Sequence, residues 1–467
     1  MNSQSKATTI VLFGATGDLA QQKLLPSLYD LYIRKMLPED FHIAAFARKD
    51  FCEETFRQYV IDEVKIDDQD FLKRIRYVQG DMMKQEGYET LGEFLNSCDA
   101  EIGVCSNKLF YLAIPPSLFD DVFDHLKNSG LTTPCANPED NVDSWSRVLV
   151  EKPFGFNQEE ARYLDTKLGK IFDESQVYRI DHYLAKETVQ NILTFRFANM
   201  FFDPAWNSEY IESVEILMHE SVTAVDRGSF YDGIGALRDI GQNHLLQMLA
   251  LIAMEDPKKL DQDMIREARA EVLSRLMIKK DAEGNQIAKR AQYQGYRETE
   301  GVALDSNVET FFRIELLIDN DRWKGVPFIL ESGKGLSKKH TEIKVNFKER
   351  ESCVCAEGET EKANQIIFKI QPDEGITAKF WAKKPGFSFD TEEKDLSFEY
   401  SQDDRLPDAY ERVLFDAIRG DQTLFASTDE VMAQWDVIMP ILEVWRKEDE
   451  GGAILPTYEV GTLPEIL

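Results

Sequence analysis

The chain has 467 residues, of which 43% are hydrophobic, and it carries a formal net charge of −30 with an isoelectric point of about 4.7. This length predicts two or three domains of roughly 150 residues each, and the apolar content excludes a disordered chain. So negative a chain is a poor electrostatic match for nucleic acid or anionic lipid, and we expect neither as a partner. An anionic substrate would therefore need a local cluster of basic side chains.

The six cysteines, at positions 52, 98, 105, 135, 353 and 355, have neither zinc-site spacing nor a CxxC motif. We expect no disulfide framework and no metal, which favours a reducing compartment. The N-terminal residues MNSQSKATT lack the apolar core of a signal peptide, and the most apolar helical stretch, 245–254, is too short to span a membrane. These features together predict a cytoplasmic protein.

Residues 8–150 alternate short apolar runs with amphipathic stretches. The strand-like runs TTIVLF, FHIAAFA, RIRYVQ, KLFYLAI and SRVLVE are each followed by a helical segment. This alternation predicts a Rossmann-like parallel sheet with helices on both faces, which is an α/β domain. We place this domain at residues 1–180.

The pattern changes after about residue 180. Helices are predicted near 234–254 and 260–279, followed by the strand-like runs ETFFRIELLI, PFILES, TEIKVNF, NQIIFKI and DLSFEY and by helices near 408–419 and 428–447. Short turns between the strand-like runs favour a large, mostly antiparallel sheet. Residues 181–467 are therefore expected to form a second domain of the α+β class.

The first strand runs into GATGDLA (14–20), a G-x-x-G-x-x-A turn that opens a helix. Glycines let the backbone approach a pyrophosphate, and a helix N-terminus offers free N–H groups. Because the middle glycine of G-x-G-x-x-G is absent, an ordinary tight strand-to-helix turn is the alternative. The second strand ends in Arg48 and Lys49, where NAD sites usually have an acidic residue, and this favours NADP over a solvated basic pair. Asp50 follows, so NAD stays open as a weaker alternative.

Two later segments carry groups suited to a sugar phosphate. In EKPFG (151–155), Lys152 follows the fifth strand and precedes a proline, so it is expected to project from the sheet edge; a surface lysine in a turn is the alternative. In RIDHYLAKE (179–187), a helix that begins at His182 would place His182 and Lys186 on one face. With Tyr183 they could bind a phosphate dianion, whereas ordinary i,i+4 pairs are the alternative.

The segment RDIGQNHLLQM (238–248) contains a candidate base, His244. On an α-helix His244 falls on an apolar stripe with Leu237, Ile240, Met248 and Leu251. A packed core histidine is one interpretation, and a buried general base is the other. Oxidation of an alcohol needs such a base, because the hydroxyl proton must leave as hydride leaves the same carbon. A carboxylate such as Asp181 could orient the imidazole and stabilise its cation.

The motifs GATGDLA, FYLAIPP, EKPFG, RIDHYLAKE, RDIGQNHLLQM, RWKGVPFIL, KKPG and LPDAYERVL occur in this order over roughly residues 8–447. Together they resemble the glucose-6-phosphate dehydrogenase family, and RIDHYLAKE is the most specific of them. The resemblance implies oxidation of glucose 6-phosphate at C1 to 6-phosphoglucono-1,5-lactone with reduction of NADP, in the pentose phosphate pathway. It also implies that residues 181–467 bind substrate and pair chains into homodimers or homotetramers.

The resemblance further implies roles for individual residues. It makes His244 the proton acceptor and Asp181 its carboxylate partner. The implied substrate contacts are Lys152, His182, Tyr183, Lys186, Glu220, Asp239, Lys334, Lys339 and Gln371. The implied cofactor contacts are Gly14, Thr16, Gly17, Asp18, Leu19, Arg48, Asp81, Met82, Ala113, Pro115 and Lys152.

Some positions depart from the family pattern. His340 stands where lysine is frequent, and the tail that begins at Tyr458 matches only loosely, which argues against a second, structural NADP. Two other functions stay open: a dehydrogenase for another hexose phosphate or free glucose, and a non-catalytic nucleotide-binding subunit. A degenerate subunit would be expected to lose the base or the phosphate contacts, yet His244, Asp181 and Lys186 are all present.

Overall fold

The computed structural model describes residues 7–134, 144–349, 363–400 and 405–465. The chain divides into two compact units, of which the first comprises residues 1–185 and 407–428 and the second comprises residues 186–406 and 429–467. Each unit is organised around one β-sheet.

Within the described residues, the regular structure comprises strands, α-helices, π-helical segments and short 3₁₀ turns, the last at Pro116–Leu118, Glu174–Gln176, Asp203–Ala205, Val225–Arg227 and Tyr296–Glu298. The strands are β1 Thr8–Phe13, β2 Phe41–Ala47, β3 Ile75–Gln79, β4 Asn107–Leu112, β5 Ser146–Val150, β6 Val177–Ile180, β7 Ile211–His219, β8 Leu276–Ile278, β9 Ala288–Tyr293, β10 Phe311–Ile318, β11 Phe328–Gly333, β12 His340–Phe347, β13 Gln365–Gln371, β14 Gly375–Lys383, β15 Thr391–Glu399, β16 Phe425–Ala426 and β17 Thr457–Tyr458. The α-helices are α1 Leu25–Ile33, α2 Glu53–Tyr59, α3 Gln69–Leu72, α4 Gln85–Ile102, α5 Phe119–Ser129, α6 Gln158–Leu168, α7 Glu187–Phe197, α8 Gly228–Asp232, α9 Leu246–Ala253, α10 Gln262–Ser274, α11 Ala409–Arg419 and α12 Thr428–Glu450. Three π-helical segments are Ala20–Leu24, Val60–Val64 and Leu237–Leu245.

The first unit contains a seven-stranded sheet in the order β16-β6-β5-β4-β1-β2-β3. Its neighbouring strands are parallel except for β16, which runs antiparallel to β6. Strand β1 is buried along its whole length, as expected for a strand that is covered on both faces. The strand order reverses between β1 and β4, and such a reversal opens a crevice for ligands at the carboxyl ends of the strands. The predicted Rossmann-like domain is confirmed.

Residues 407–428 belong to the first unit, whereas the sequence predicts a single boundary at residue 180. Helix α11 packs on α1, and β16 pairs with β6. The Arg147 guanidinium donates to the carbonyl oxygens of Ala417 (2.7 Å) and Ile418 (2.9 Å). A two-residue strand and a helix that returns to an earlier sheet leave no local sequence pattern, so this return could not be predicted.

The second unit contains a ten-stranded sheet in the order β15-β14-β13-β12-β7-β11-β10-β9-β17, with β8 paired to β10. Its pairs are antiparallel except β7 with β11 and β9 with β17. Strands β10 and β12 alternate between buried and half-buried residues, which is typical of a sheet with one covered face. The predicted large and mostly antiparallel sheet is therefore confirmed.

Two helix predictions need correction. The helix expected near 234–254 is a π-helix, Leu237–Leu245, that continues as α9. The helix expected near 260–279 ends at Ser274, because the chain then forms the short strand β8 against β10.

The cysteines also differ from expectation at one position. Cys105 is disulfide-bonded, whereas Cys52 is an exposed and Cys98 a buried free thiol. The expectation of no disulfide is wrong at Cys105, since pairing cannot be deduced from cysteine spacing alone. The cysteines at 135, 353 and 355 lie outside the described residues. Within the described ranges, no helix has the length and apolarity needed to cross a membrane.

Candidate active site

The turn after β1 packs its backbone against the ends of β2 and β4. Gly14 has a φ of 77°, a conformation that favours glycine, and a Cβ there would lie 2.5 Å from the carbonyl oxygen of Ala113. The Gly14 amide donates to the carbonyl of Phe46 (3.0 Å), and the Gly17 amide donates to that of Gly14 (2.9 Å). Thr16 and Leu19 are half-buried, while Gly17 and Asp18 are exposed at the start of the helix. This cradle fits a pyrophosphate, which needs close backbone approach and free helix N–H groups.

Two exposed cations follow the end of β2, at the same end of the sheet as the Gly14 turn. Arg48 and Lys49 are both exposed, but the Lys49 ammonium lies 5.6 Å above the ring of Tyr59. The Tyr77 hydroxyl donates to the carbonyl oxygens of Ala47 (3.1 Å) and Lys49 (2.5 Å), which flank Arg48. Burial raises the pKa of Tyr77 to about 12, so this donor keeps its proton at neutral pH. The backbone around Arg48 is therefore held on both sides.

The remaining cofactor candidates of the first unit follow other strands of the same sheet. Asp81 and Met82 follow β3, Ala113 and Pro115 follow β4, and Lys152 follows β5. Met82 is buried and Pro115 is exposed, while Asp81, Ala113 and Lys152 are half-buried. Because the carboxyl ends of parallel strands lie at one edge of the sheet, the structure gathers these residues at the edge where the Gly14 turn lies.

The segment after β6 is a turn and not a helix. Asp181 is 3% exposed, and its Oδ1 accepts a hydrogen bond from the backbone N–H of Tyr183 (2.9 Å). Helix α7 begins only at Glu187, with Lys186 as its extended N-cap. The prediction of a helix from His182 is wrong, because an aspartate that bonds the amide two residues on stabilises a turn.

The side chains of this turn stay accessible to a ligand. His182, Tyr183 and Lys186 are half-buried. The His182 ring lies 5.0 Å from the Tyr183 ring and stacks at 6.2 Å on the ring of Tyr410, with 12° between the planes. The N-terminal part of the first unit ends at residue 185, so Lys186 is counted with the second unit.

Glu151 is a titratable group that the sequence interpretation missed, although it stands beside Lys152 in EKPFG. The Tyr111 hydroxyl donates to its Oε1 at 2.6 Å. Removal from water raises the pKa of Glu151 to about 7; the Tyr111 hydrogen bond and the Lys152 charge oppose this rise, and the Asp181 charge adds to it. A carboxyl that changes charge near neutral pH therefore lies beside two candidate site residues.

The candidate base lies in the second unit. His244 is 1% exposed in the π-helix, and Asp239 is half-buried five residues before it. The buried Glu309 accepts from the amide of Leu237 (3.0 Å), which anchors the start of the segment. A Cβ at Gly241 would lie 2.9 Å from Phe312, so the π-helix packs tightly on β10. Burial raises the pKa of Glu309.

Several strand ends of the second sheet meet beside one another. His219, at the end of β7, pairs with Gly333 of β11 and with His340 of β12, and Thr341 pairs with Gln371 of β13. These pairings place four of the predicted substrate contacts side by side, at the ends of adjacent strands. They are Glu220, Lys334, Lys339 and Gln371.

An ion pair and an aromatic ring organise these strand ends. The Lys334 ammonium lies 2.6 Å from the Glu220 carboxylate and 5.1 Å above the ring of Tyr231. Burial raises the pKa of Tyr231, and the charges of Asp239, Glu309 and Glu220 contribute to the rise. Tyr231 therefore lies within electrostatic range of both sugar-binding candidates, Glu220 and Asp239, although no sequence motif singled it out.

Comparisons with known proteins cover the whole length of the chain. Residues 11–191 match the family model described as the NAD binding domain of glucose-6-phosphate dehydrogenase, and residues 193–464 match its C-terminal domain. The glucose-6-phosphate 1-dehydrogenase of Chlamydia pneumoniae is 39% identical, over 97% of this chain and 92% of that protein. Glucose-6-phosphate 1-dehydrogenase 6, cytoplasmic, of Arabidopsis thaliana is also 39% identical, over 97% of this chain and 88% of that protein.

Solved structures agree with these relatives. A glucose-6-phosphate dehydrogenase in complex with its substrate glucose-6-phosphate aligns over 100% of this chain and 97% of that chain, with a TM-score of 0.89 and 34% identity. Glucose-6-phosphate 1-dehydrogenase from Mycobacterium avium aligns over 98% of this chain and 95% of that chain, with a TM-score of 0.81 and 32% identity. The chain belongs to the glucose-6-phosphate dehydrogenase family.

Proposed function

We propose that the chain oxidises glucose 6-phosphate at C1 to 6-phosphoglucono-1,5-lactone and reduces NADP, which is the first oxidative step of the pentose phosphate pathway. The observation that carries the proposal is the full-length match to a glucose-6-phosphate dehydrogenase that holds its substrate. The matches of both family domains along the chain support it.

The proposed cofactor is NADP, with NAD as a weaker alternative; when bound, the nicotinamide accepts the hydride from C1. The Gly14 turn lies so close to the end of β4 that a Cβ would lie 2.5 Å from the Ala113 carbonyl oxygen, and this tight strand-to-helix turn supports pyrophosphate binding at residues 14–19. Arg48 is exposed, and the residues on either side of it, Ala47 and Lys49, bond the Tyr77 hydroxyl through their carbonyl oxygens; Arg48 is the proposed contact of the 2′-phosphate. The other proposed contacts are Asp81, Met82, Ala113, Pro115 and Lys152.

The substrate phosphate is proposed to bind His182, Tyr183 and Lys186. A net charge of −30 repels a dianion from the protein as a whole, so local donors must supply the attraction. Each charge-assisted hydrogen bond contributes roughly 1.5–3 kcal/mol. Glu220 and Asp239 are proposed to accept from sugar hydroxyls, and the other proposed sugar contacts are Lys152, Lys334, Lys339 and Gln371.

His244 is proposed to accept the C1 hydroxyl proton. Its burial excludes water, and a neutral imidazole has a pKa suited to proton transfer near neutral pH. Asp181 is proposed as the carboxylate that stabilises the resulting imidazolium. The ion pair with Lys334 supports a fixed direction for the carboxylate of Glu220, the proposed acceptor from a sugar hydroxyl.

The decisive experiment measures kcat/KM with glucose 6-phosphate, glucose and another hexose phosphate, following the absorbance of the reduced cofactor. We expect glucose 6-phosphate with NADP to be the best pair by at least about tenfold, the factor that corresponds to 1.4 kcal/mol. Equal values for glucose and glucose 6-phosphate would reject the phosphate site. A chain that binds NADP but turns over none of these substrates would be a non-catalytic subunit.

A homodimer or homotetramer with a cytoplasmic location is also proposed. Strand β15 forms an edge of the second sheet, and large apolar side chains on and beside it are exposed. These are Phe387, Phe389, Leu396 and Phe398. Such a patch is typical of a protein interface, so the solution mass should be twice or four times the chain mass of 53.7 kDa. A monomeric mass in light scattering would reject the oligomer, and fractionation of cells would test the location.

A further inference from the structure

The backbone that carries His244 departs from the α-helix that its sequence suggests. Residues Leu237–Leu245 are π-helical, and α-helix resumes at Leu246. Hydrogen bonds of the i→i+5 type widen the turn to about 4.4 residues, so residues five apart lie only roughly 50° from one another around the axis. Asp239 and His244 have this spacing, whereas on an α-helix of 3.6 residues per turn they would lie about 140° apart. The wide turn therefore brings both side chains to one side of the helix.

The side chain of Asn243 lies inside this turn. Its Nδ2 donates to the carbonyl oxygens of Asp239 (3.0 Å) and Arg238 (3.4 Å). Its Oδ1 accepts from the backbone N–H of His244 (2.6 Å). The carboxamide thus bridges the backbone of the two candidate site residues, and a side chain inserted into the helical ladder is a known cause of a local distortion. Asn243 is 5% exposed, so water cannot easily replace these bonds.

We propose that Asn243 is a positioning residue for the dehydrogenase reaction, and that it holds the wide turn in which Asp239 and His244 face the same side. This inference rests on the proposed roles of His244 as proton acceptor and Asp239 as sugar-hydroxyl acceptor. Asn243 itself touches neither substrate nor cofactor in this scheme. It acts by directing the side chains of Asp239 and His244. This direction matters because a displacement of about 1 Å at a catalytic group can cost on the order of 100-fold in rate.

An asparagine is the residue this bridge requires. Aspartate keeps an acceptor for the His244 amide but loses the Nδ2 donor and places a second oxygen against the Asp239 carbonyl. Alanine removes all three bonds of this side chain, so the backbone is free to close to i→i+4 bonding. The rest of the segment stays anchored, because Glu309 holds the Leu237 amide and Gly241 packs on Phe312.

The kinetic test uses Asn243→Ala and the isosteric Asn243→Asp, with Asn346→Ala as the matched control. Asn346 is a half-buried amide of β12 that donates to Ser213 Oγ and Glu215 Oε1, both at 3.0 Å, near the start of β7 and away from Glu220 at its end. With glucose 6-phosphate and NADP, we expect both Asn243 variants to lose about 10- to 100-fold in kcat. We expect a smaller rise in KM, because Asp239 is a proposed substrate contact, and the larger loss in kcat, because a misdirected base loses transition-state interactions. We also expect the pH profile of kcat/KM to shift.

A second measurement reads the geometry without turnover. The chain has six histidines, so ring resonances of histidine-labelled protein can be resolved and His244 assigned by its loss in His244→Asn. We expect the His244 resonance and its titration to move in both Asn243 variants and to stay in place in the Asn346 control. Wild-type kcat and pH profile in both variants, or an unmoved His244 resonance, would overturn the inference. If the wild-type chain fails to oxidise glucose 6-phosphate, the proposed function falls, and the resonance comparison still decides whether Asn243 holds the turn.

Discussion

The Gly14–Leu19 turn of the first unit and the Leu237–Leu245 π-helix of the second both carry candidate site residues, but different contacts fix them. The turn depends on one left-handed glycine and on the ends of adjacent parallel strands. The π-helix depends on a buried carboxylate, Glu309, on tight packing against Phe312 and on a bridging amide, Asn243. The cofactor turn can therefore be predicted from local sequence, whereas the position of the base depends on contacts that the local sequence pattern does not record.

This contrast predicts that damage in the π-helix removes chemistry and leaves cofactor binding intact. For His244→Asn we expect a loss of at least about 100-fold in kcat, because a general base contributes 10²–10⁴-fold to the rate. The Kd for NADP, measured by quenching of protein fluorescence, should stay the same, since the cofactor candidates lie in the first unit.

The matched control for this change is His42→Asn, a half-buried histidine of β2 in the first unit. It should keep the wild-type kcat. An unchanged kcat in His244→Asn would mean that this histidine is a packed core residue, and the contrast between the two regions would then lose its chemical meaning.

The next largest effect is expected at the phosphate site. Lys186→Ala should raise the KM for glucose 6-phosphate about 10- to 100-fold, since a charge-assisted hydrogen bond contributes roughly 1.5–3 kcal/mol. The salt dependence of KM should also weaken, because one screened charge is lost. Lys259→Ala, which removes an exposed lysine of the same unit, serves as control. A KM that stays at the wild-type value would place the phosphate contact elsewhere.

The sequence pattern was sufficient to predict those parts of the fold that depend on hydrophobic periodicity and on the order of the strands along the chain. The alternation of residues 8–150 predicts the parallel sheet, and the ends of its strands predict where Gly14, Arg48 and Lys152 gather. The strand-like runs after residue 300 likewise predict the large antiparallel sheet, although the pairing that brings Glu220 beside Lys334 comes only from the strand register.

The misses have a common cause, which is a side chain that makes contacts no local motif records. Asp181 bonds the Tyr183 amide and turns a predicted helix into a turn. Asn243 bonds the backbone of Asp239 and of His244 within a π-helical turn, where the spacing of apolar residues predicts an α-helix. Glu151 was missed because its raised pKa comes from removal from water in the folded chain, which no local motif records.

On the cofactor side, the expected effect is smaller and concerns selectivity. Arg48→Ala should lower the ratio of kcat/KM with NADP to that with NAD by about tenfold, the lower end of a lost charge-assisted bond, while activity with NAD is retained. Lys49→Ala should have less effect, because its ammonium lies over the Tyr59 ring. A ratio that changes only in Lys49→Ala would assign the 2′-phosphate to that lysine.

The last expected effect is on stability, and it tests whether the carboxyl beside Lys152 titrates near neutral pH. The pKa of Glu151 is raised from an ordinary value of 4.5 to about 7. A raised pKa in the folded state means that this carboxyl favours folding when protonated, so its contribution is full below about 4.5 and is lost as the pH rises through about 7. Glu151→Gln keeps a neutral group at every pH. Its free energy of unfolding should therefore rise relative to that of the wild type by roughly 1–2 kcal/mol between pH ~5 and pH ~8.

Thermal unfolding of both proteins at the two pH values measures this difference, and Glu159→Gln, an exposed carboxyl of α6, is the control. The control should follow the wild type, because an exposed carboxylate has lost little water on folding. If Glu151→Gln shows the same pH dependence as the wild type, Glu151 is charged throughout this range. The carboxyl beside Lys152 would then be a fixed charge that strengthens the attraction for that ammonium.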